Sequence, residues 1–299
     1  MSNRNVVIGA GGRLGSALCA ACAPENLVAS LRHKDLDLED SESIKTVLGE
    51  LEYDTLWLTA ALTDVDYCET HVEQTRKVNT DAAKLIAQIS AEKGAQVILF
   101  STDYVFDGEK NEPYCEKDNT HPLNVYGESK LLAEEQVLAA SEHNLVIRLS
   151  WLFGHDKPGF PSWAIKQAMQ TKSLSVVSNR HSSPTYTGDV IKALTPLIRG
   201  EMEVSGILHL CNQGVCTWQE WAQHCVDCAA ENDLPLLTRE VKSCRMSDIE
   251  NFAAQRPAYS AMSTARFESL CGKSMPNWKE SVSLYVKEHL VPELKTACK

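Results

Sequence analysis

Near the start of the chain a short apolar run, Val6-Val7-Ile8, breaks into Gly9-Ala10-Gly11-Gly12-Arg13-Leu14-Gly15, with glycines three residues apart at 9, 12 and 15. Few local patterns restrict a fold as much. The apolar run suits a buried strand and is too short for a helix. Glycines at that spacing let the chain turn tightly, bring backbone N–H groups up to an anion, and allow the next helix to lie close on the strand. A strand, a glycine loop and a helix in that order open a βαβ unit, and the cradle between them points to the pyrophosphate of a dinucleotide.

The stretches that follow keep the alternation. Val6 to Gly9, Leu27 to Leu31, Thr55 to Thr59, Gln96 to Ser101 and Leu145 to Leu149 read as strands, while Ser41 to Leu51, Val72 to Lys93 and Asn124 to Ala140 have helical periodicity. Joined by right-handed crossovers, these give an α/β fold with a doubly wound parallel sheet. Beyond Leu149 the pattern loosens into Gly154-His155-Asp156-Lys157-Pro158-Gly159, which reads as a loop. Helices then fall near Ser162 to Gln170, from Gly188, near Trp218 to Ala230 and near Trp278 to His289, with a strand near Ser173 to Val177. The expected division is a nucleotide-binding domain over 1–154, to which 183–200 returns, and a smaller C-terminal substrate-binding domain over 155–299. The second packs over the carboxyl edge of the sheet, where ligands bind in such folds.

Composition excludes several classes of partner. The 299 residues, 43% apolar and 23% charged, are those of an ordinary globular protein with a sizeable core, and no apolar run approaches a membrane span. Met1 to Asn5 lead straight into the first strand, so secretion by a standard signal is not expected. Forty acidic residues against 29 basic ones leave a formal charge of −11. That charge repels polyanions, which argues against nucleic acid or anionic membrane, and an anionic ligand must meet a local basic patch. The 11 scattered cysteines suit reduced, cytoplasmic thiols. Cys19/Cys22 and Cys225/Cys228 have Cys-x-x-Cys spacing in apparent helices, where it puts two small side chains on a buried face. His224 keeps a metal conceivable, but packing is the expected role and no metal is expected.

The second strand ends in Ser30-Leu31-Arg32-His33-Lys34, without the acid that would hydrogen-bond a ribose 2′-hydroxyl. Positive charge there, Arg32 included, suits a 2′-phosphate and favours NADPH over NADH, although surface charge reads the same way. Tyr126 and Lys130 stand four apart on one predicted helix and so share a face. An ammonium near a phenol favours phenolate and lowers its pKa toward working pH, which suits acid/base chemistry; a solvated face with incidental Tyr and Lys is the alternative. Thr102, after the fourth strand, can donate to a carbonyl oxygen gaining charge, or can simply satisfy a local backbone group.

With glycine loop, Ser/Thr and Tyr-x-x-x-Lys in this order, the sequence resembles the extended short-chain dehydrogenase/reductase family, with its Rossmann sheet, and more closely the dTDP-4-dehydrorhamnose reductase branch. The resemblance is carried by Ala60 to Asp66, Ser101 to Gly108, Pro122 to Leu131, Ser150 to Gly154, Ser183 to Tyr186, Gly206 to Leu210, Arg256-Pro257 with Ser260, and Pro276-Asn277-Trp278. Beside the loop glycine Gly9, it implies Gly12, Arg13 and Leu14 at the cofactor phosphates, Asp37 and Leu38 at the adenine, and Ala61, Leu62, Thr63 and Phe100 along the rest of the dinucleotide. It implies Thr102, Tyr126 and Lys130 as the catalytic set, with Thr102, Asp103 and Trp151 meeting the substrate, Trp151 by laying an indole face on a deoxysugar or else serving as a core tryptophan.

Family members usually carry Gln and Gly where this chain has Arg180 and Ser182, and Arg180 could add charge for a substrate diphosphate or mark a different sugar. Met262 and Arg266 are milder departures. The activity implied is NADPH-dependent reduction of the 4-keto group of a dTDP-4-dehydro-6-deoxy-sugar, with a homodimer as an open assembly. Rivals are another nucleotide-sugar reductase or epimerase, and a non-catalytic NADP-binding regulator resembling the methionine adenosyltransferase β subunit.

Overall fold

The computed structural model describes residues 3–155, 157–249 and 252–297; Asp156, part of the expected loop, lies outside them. At the centre is a parallel sheet. Five strands are those anticipated, within a residue or so at their ends: β1 (Asn5–Ile8), β2 (Leu27–Leu31), β3 (Thr55–Leu58), β4 (Gln96–Thr102) and β5 (Leu145–Leu149). A sixth, β6 (Gly206–His209), pairs with β5 and comes from the stretch expected to build the smaller unit. Sequence reasoning misses it because Gly206-Ile207-Leu208-His209 holds two adjacent apolar residues and no alternation. The order is β6-β5-β4-β3-β1-β2, so the winding reverses between β1 and β3 and leaves a crevice at their carboxyl ends. β1, β3 and β5 are buried along their whole length, as a sheet covered on both faces requires, whereas edge strand β2 alternates.

Two helical layers cover the sheet. On one face α1 (Arg13–Ala21) packs with a later helix, Thr187–Ile198, through Leu14, Leu18, Val190 and Leu194 over Trp57 and Ile98. On the other, α2 (Ser41–Glu50), α3 (Ala82–Glu92) and α4 (Val125–Ala140) enclose Ile44, Leu48, Ile86 and Val137. The expected helix from Val72 to Lys93 forms, interrupted by a π-helical turn at Lys77–Asp81. A separate apolar cluster including Phe153, Ile165, Trp221, Cys225, Val282 and Tyr285 joins helices Phe160–Gln170, Trp218–Glu231 and Trp278–Tyr285. Cys225 and Cys228 are buried, with Cys228 Sγ 3.3 Å from Ser283 Oγ, so both serve packing. Among the described residues no helix is long and apolar enough to cross a membrane.

α4 is fixed at its N-terminus and along its length by polar contacts. Asn124 caps it, accepting from Gly127 N at 2.8 Å, and its amide donates to Gln255 O at 2.7 Å. Deeper in, Glu134 and Arg148 of β5 form an ion pair at 2.6 Å with both side chains 2% exposed. Gly127 is required here: a Cβ on it would fall 2.3 Å from Tyr104 O.

Candidate active site

A cavity of about 1090 Å³ opens at the carboxyl ends of β1, β3 and β4. Its wall includes Gly9, Gly12, Arg13, Leu14, Arg32, Asp37, Leu38, Ala61, Leu62, Thr63, Phe100, Tyr126 and Lys130, so every residue assigned to a dinucleotide shares one cavity. The glycine loop is built as its spacing suggests. Gly9 takes φ +90°, and a Cβ on Gly15 would fall 2.1 Å from Gly9 O, so α1 can lie against the loop only with glycine there. Gly12 caps α1 without any side-chain bond, which leaves the backbone N–H groups of the first turn to an anion. Arg32, His33 and Lys34 line the far end. Asp35, the nearby acid, spends a carboxylate oxygen on Arg32 N at 3.0 Å. Ser101 Oγ is buried, lines the cavity and has no protein partner. These features fit a phosphorylated dinucleotide.

Two cavity residues do something the sequence did not suggest. Arg13 donates to Leu152 O, Lys157 O and Pro158 O at 2.8, 3.0 and 2.8 Å, so its guanidinium straps the loop after β5 across the end of α1. Leu62 is held through its own backbone: its N–H donates to Asn79 Oδ1 at 2.8 Å and its carbonyl accepts from Asn79 Nδ2 at 3.0 Å. Asn79 sits in the π-helical turn, a local irregularity common at functional sites, and also donates to Ser129 Oγ on α4 at 3.0 Å. A buried asparagine inside an apolar helix was the available signal.

Thr102, Asp103, Tyr126, Lys130 and Trp151 share the same cavity. Thr102 ends β4, and its hydroxyl has three neighbours. It accepts from Tyr104 N at 3.1 Å and donates to Asp103 Oδ1 at 3.2 Å, and the Tyr126 phenol lies near it. The local backbone role and a place beside Tyr126 therefore coexist. Lys130 is 3% exposed; burial lowers its pKa to about 8, and Glu134 one turn on opposes that shift. The expected lowering of the Tyr126 pKa is not what this geometry yields. Burial pushes it above its ordinary value, the nearby Thr102 hydroxyl works against that, and the Asp103 charge adds to it. Desolvation of the phenolate is the largest effect, so Tyr126 is held as a neutral phenol.

Trp151 adopts φ 41°, rare for a non-glycine residue, directly after β5. Its ring stacks on Trp221, centroids 5.7 Å apart, while it lines the cavity, so it belongs to both the core and the site. Arg180 is the assigned residue that the cavity wall does not include. It lies beside Tyr104 and Arg256 and donates to Asn179 O at 2.7 Å; the Tyr104 ring in turn meets that of Tyr126 edge-on at 6.1 Å. Ser182 and Ser260, buried beneath Asp103, complete the site; both donate to its Oδ2, at 3.1 and 2.5 Å.

The comparisons with known proteins agree with this geometry. Residues 3–291 match the model of the RmlD substrate binding domain. The spore coat polysaccharide biosynthesis protein SpsK of Bacillus subtilis is 33% identical, over 95% of this chain and 96% of its own length. A dTDP-4-dehydrorhamnose reductase of Sinorhizobium fredii is 31% identical, over 93% and 95%. The crystal structure of dTDP-4-dehydrorhamnose reductase from Bacillus anthracis in complex with NADP superposes with a TM-score of 0.88 at 29% identity, covering 96% of this chain and 100% of that one.

Proposed function

This chain belongs to the dTDP-4-dehydrorhamnose reductase family of extended short-chain dehydrogenases/reductases, and from that premise we propose that it reduces the 4-keto group of dTDP-4-dehydro-6-deoxy-L-mannose with NADPH, giving dTDP-L-rhamnose for cell-surface polysaccharide. The observation that carries the reading is the meeting of the glycine loop, Thr102, Tyr126 and Lys130 in one cavity at the winding reversal of the sheet.

Bound NADPH supplies the hydride. The N-terminus of α1 and Gly12 hold the pyrophosphate, Arg32 with its basic neighbours meets the 2′-phosphate, and Asn79 keeps Leu62 in place along the dinucleotide. Lys130 holds the nicotinamide ribose. Thr102 steadies the sugar carbonyl as charge builds on its oxygen, and Tyr126, kept protonated by its surroundings, gives that oxygen a proton. Trp151 offers its face to the apolar side of the deoxysugar and Asp103 borders the same pocket. Arg180, outside the cofactor cavity, lies on the Tyr104 side of Tyr126 and suits the substrate diphosphate. The ten described cysteines are free, in keeping with work in the reducing cytoplasm.

The test is direct. Purified protein given NADPH and that sugar nucleotide consumes the cofactor and forms dTDP-L-rhamnose in equal amounts. Absence of both, with NADPH bound, removes the reading and favours a regulatory role; turnover only with other nucleotide sugars moves the substrate.

A further inference from the structure

Ser101 is 7% exposed, yet its Oγ has no hydrogen-bond partner among the described residues, and the side chain lines the cavity beside Thr102. Its backbone is already engaged, because Ser101 pairs with Arg148 where β4 meets β5. A buried hydroxyl without a partner costs stability, so one that borders a ligand cavity marks a group for the ligand to complete. The strand sets which way it faces, since side chains along β4 alternate. Ile98 and Phe100 join the apolar cluster of Leu14 and Trp57 on the α1 face, whereas Val97 and Leu99 join that of Ala133 and Val137 on the α4 face. Ser101 continues the second series. On α4, Tyr126, Lys130, Ala133 and Val137 recur at intervals of three and four, so they form the stripe that packs on β4. Ser101 therefore faces the side of the sheet that carries Tyr126 and Lys130, and all three line one cavity.

We propose that Ser101 is a second anchor for the nicotinamide ribose, its hydroxyl bonding the ribose hydroxyls that Lys130 holds from the helix side. The proposal rests on the reading above, in which NADPH is the cofactor and Lys130 meets that ribose. The chemistry of the donors asks for such a group. An ammonium only donates, so a ribose hydroxyl that accepts from Lys130 keeps its own proton and needs an acceptor for it. The Ser101 oxygen, with no other partner among the described residues, supplies one, and its own proton goes to the neighbouring ribose oxygen. Thr102, the next residue along the strand, is the group assigned to the substrate carbonyl. Consecutive residues of one buried strand then fix the hydride donor and its acceptor in a single frame, which is what alignment of the two reacting carbons requires.

The test compares wild type with Ser101→Ala by calorimetric titration of three ligands. NADPH is the first. The second, 2′-phospho-ADP-ribose, keeps both riboses and lacks the nicotinamide ring; the third, adenosine 2′,5′-bisphosphate, ends before the second ribose. Ser101→Ala should lose about 3- to 10-fold in affinity for the first two, the worth of one or two hydrogen bonds, and nothing for the third. Its urea midpoint without ligand should stay level or rise, because the variant no longer buries an unpaired hydroxyl. A serine that merely supports the fold gives the opposite pattern, so a lowered midpoint or an equal loss for all three ligands overturns the anchor. Loss confined to NADPH places the contact on the nicotinamide ring and overturns the ribose assignment. Unchanged affinities with a raised KM for the sugar nucleotide move Ser101 to the substrate and overturn it too, as does wild type that binds no NADPH. Wild type that binds NADPH without reducing the sugar nucleotide removes the reductase reading alone, since none of the three titrations involves the sugar.

Discussion

Tyr126 and Lys130 start from a spacing of four on a helix, and their surroundings set their charge states. Tyr126, kept as a phenol by burial, suits donation to an alkoxide-like oxygen. Tyr126→Phe should lower kcat by about 10²- to 10⁴-fold with NADPH binding unchanged, measured by cofactor fluorescence titration beside the kinetics. Lys130, with its pKa lowered to about 8, is a cation below that pH and neutral above it. NADPH affinity should therefore weaken as pH rises past about 8, and Lys130→Met should show weak binding with no such dependence. Asp103 makes a stability prediction of its own. Its folded pKa lies above its unfolded one, so the folded state binds the proton more tightly, and the stability this gives is present at pH 4 and lost as pH rises through about 6. Asp103→Asn should gain on wild type over that window, by up to about 3 kcal/mol at the usual conversion of ~1.4 kcal/mol per pKa unit, read from urea midpoints at pH 4 and pH 8.

At the scale of elements, the site depends on close approaches that glycine permits and on one irregular helical turn. α4 reaches Tyr104 only because Gly127 has no side chain. Gly127→Ala should tilt the helix that carries Tyr126 and cost about 1–3 kcal/mol through overpacking, with a loss of kcat larger than the change in NADPH binding. The π-helical turn turns Asn79 inward onto Leu62 and Ser129. Asn79→Ala leaves the Leu62 backbone groups without their partner, and its expected signature is weaker NADPH binding with kcat at saturation less affected.

Across the whole molecule, distant segments are tied by buried charge. Glu134 and Arg148 join the helix of Tyr126 to the strand that leads into Trp151. Removing one partner strands the other, so Glu134→Ala should cost about 3–5 kcal/mol in chemical denaturation, while Glu134→Leu with Arg148→Met should recover most of it. His209 of β6 packs against this pair, and burial together with Arg148 lowers its pKa to about 3, so it stays neutral and adds no repulsion. Asp66, just after the cavity-lining segment Ala61 to Thr63, meets Arg256 at 2.6 Å, and Arg256 stacks on Phe252, so a stretch 190 residues further along is tied to the segment that follows β3.

The sequence by itself determined the parallel sheet, five of its six strands and the glycine loop, because each rests on local periodicity or on backbone freedom that a few neighbouring residues express. The family resemblance it carries also implied a set of side chains along a dinucleotide, and these line one cavity. Only the tertiary structure decided what depends on contacts between distant segments. β6 is a strand because β5 offers an edge to Gly206–His209; the Tyr126 phenol is neutral because the fold desolvates it. Asp103 is surrounded by hydroxyls because residues 182 and 260 converge on it. Burial and convergence of that kind have no period to read along a chain, and they set the proton chemistry of this site.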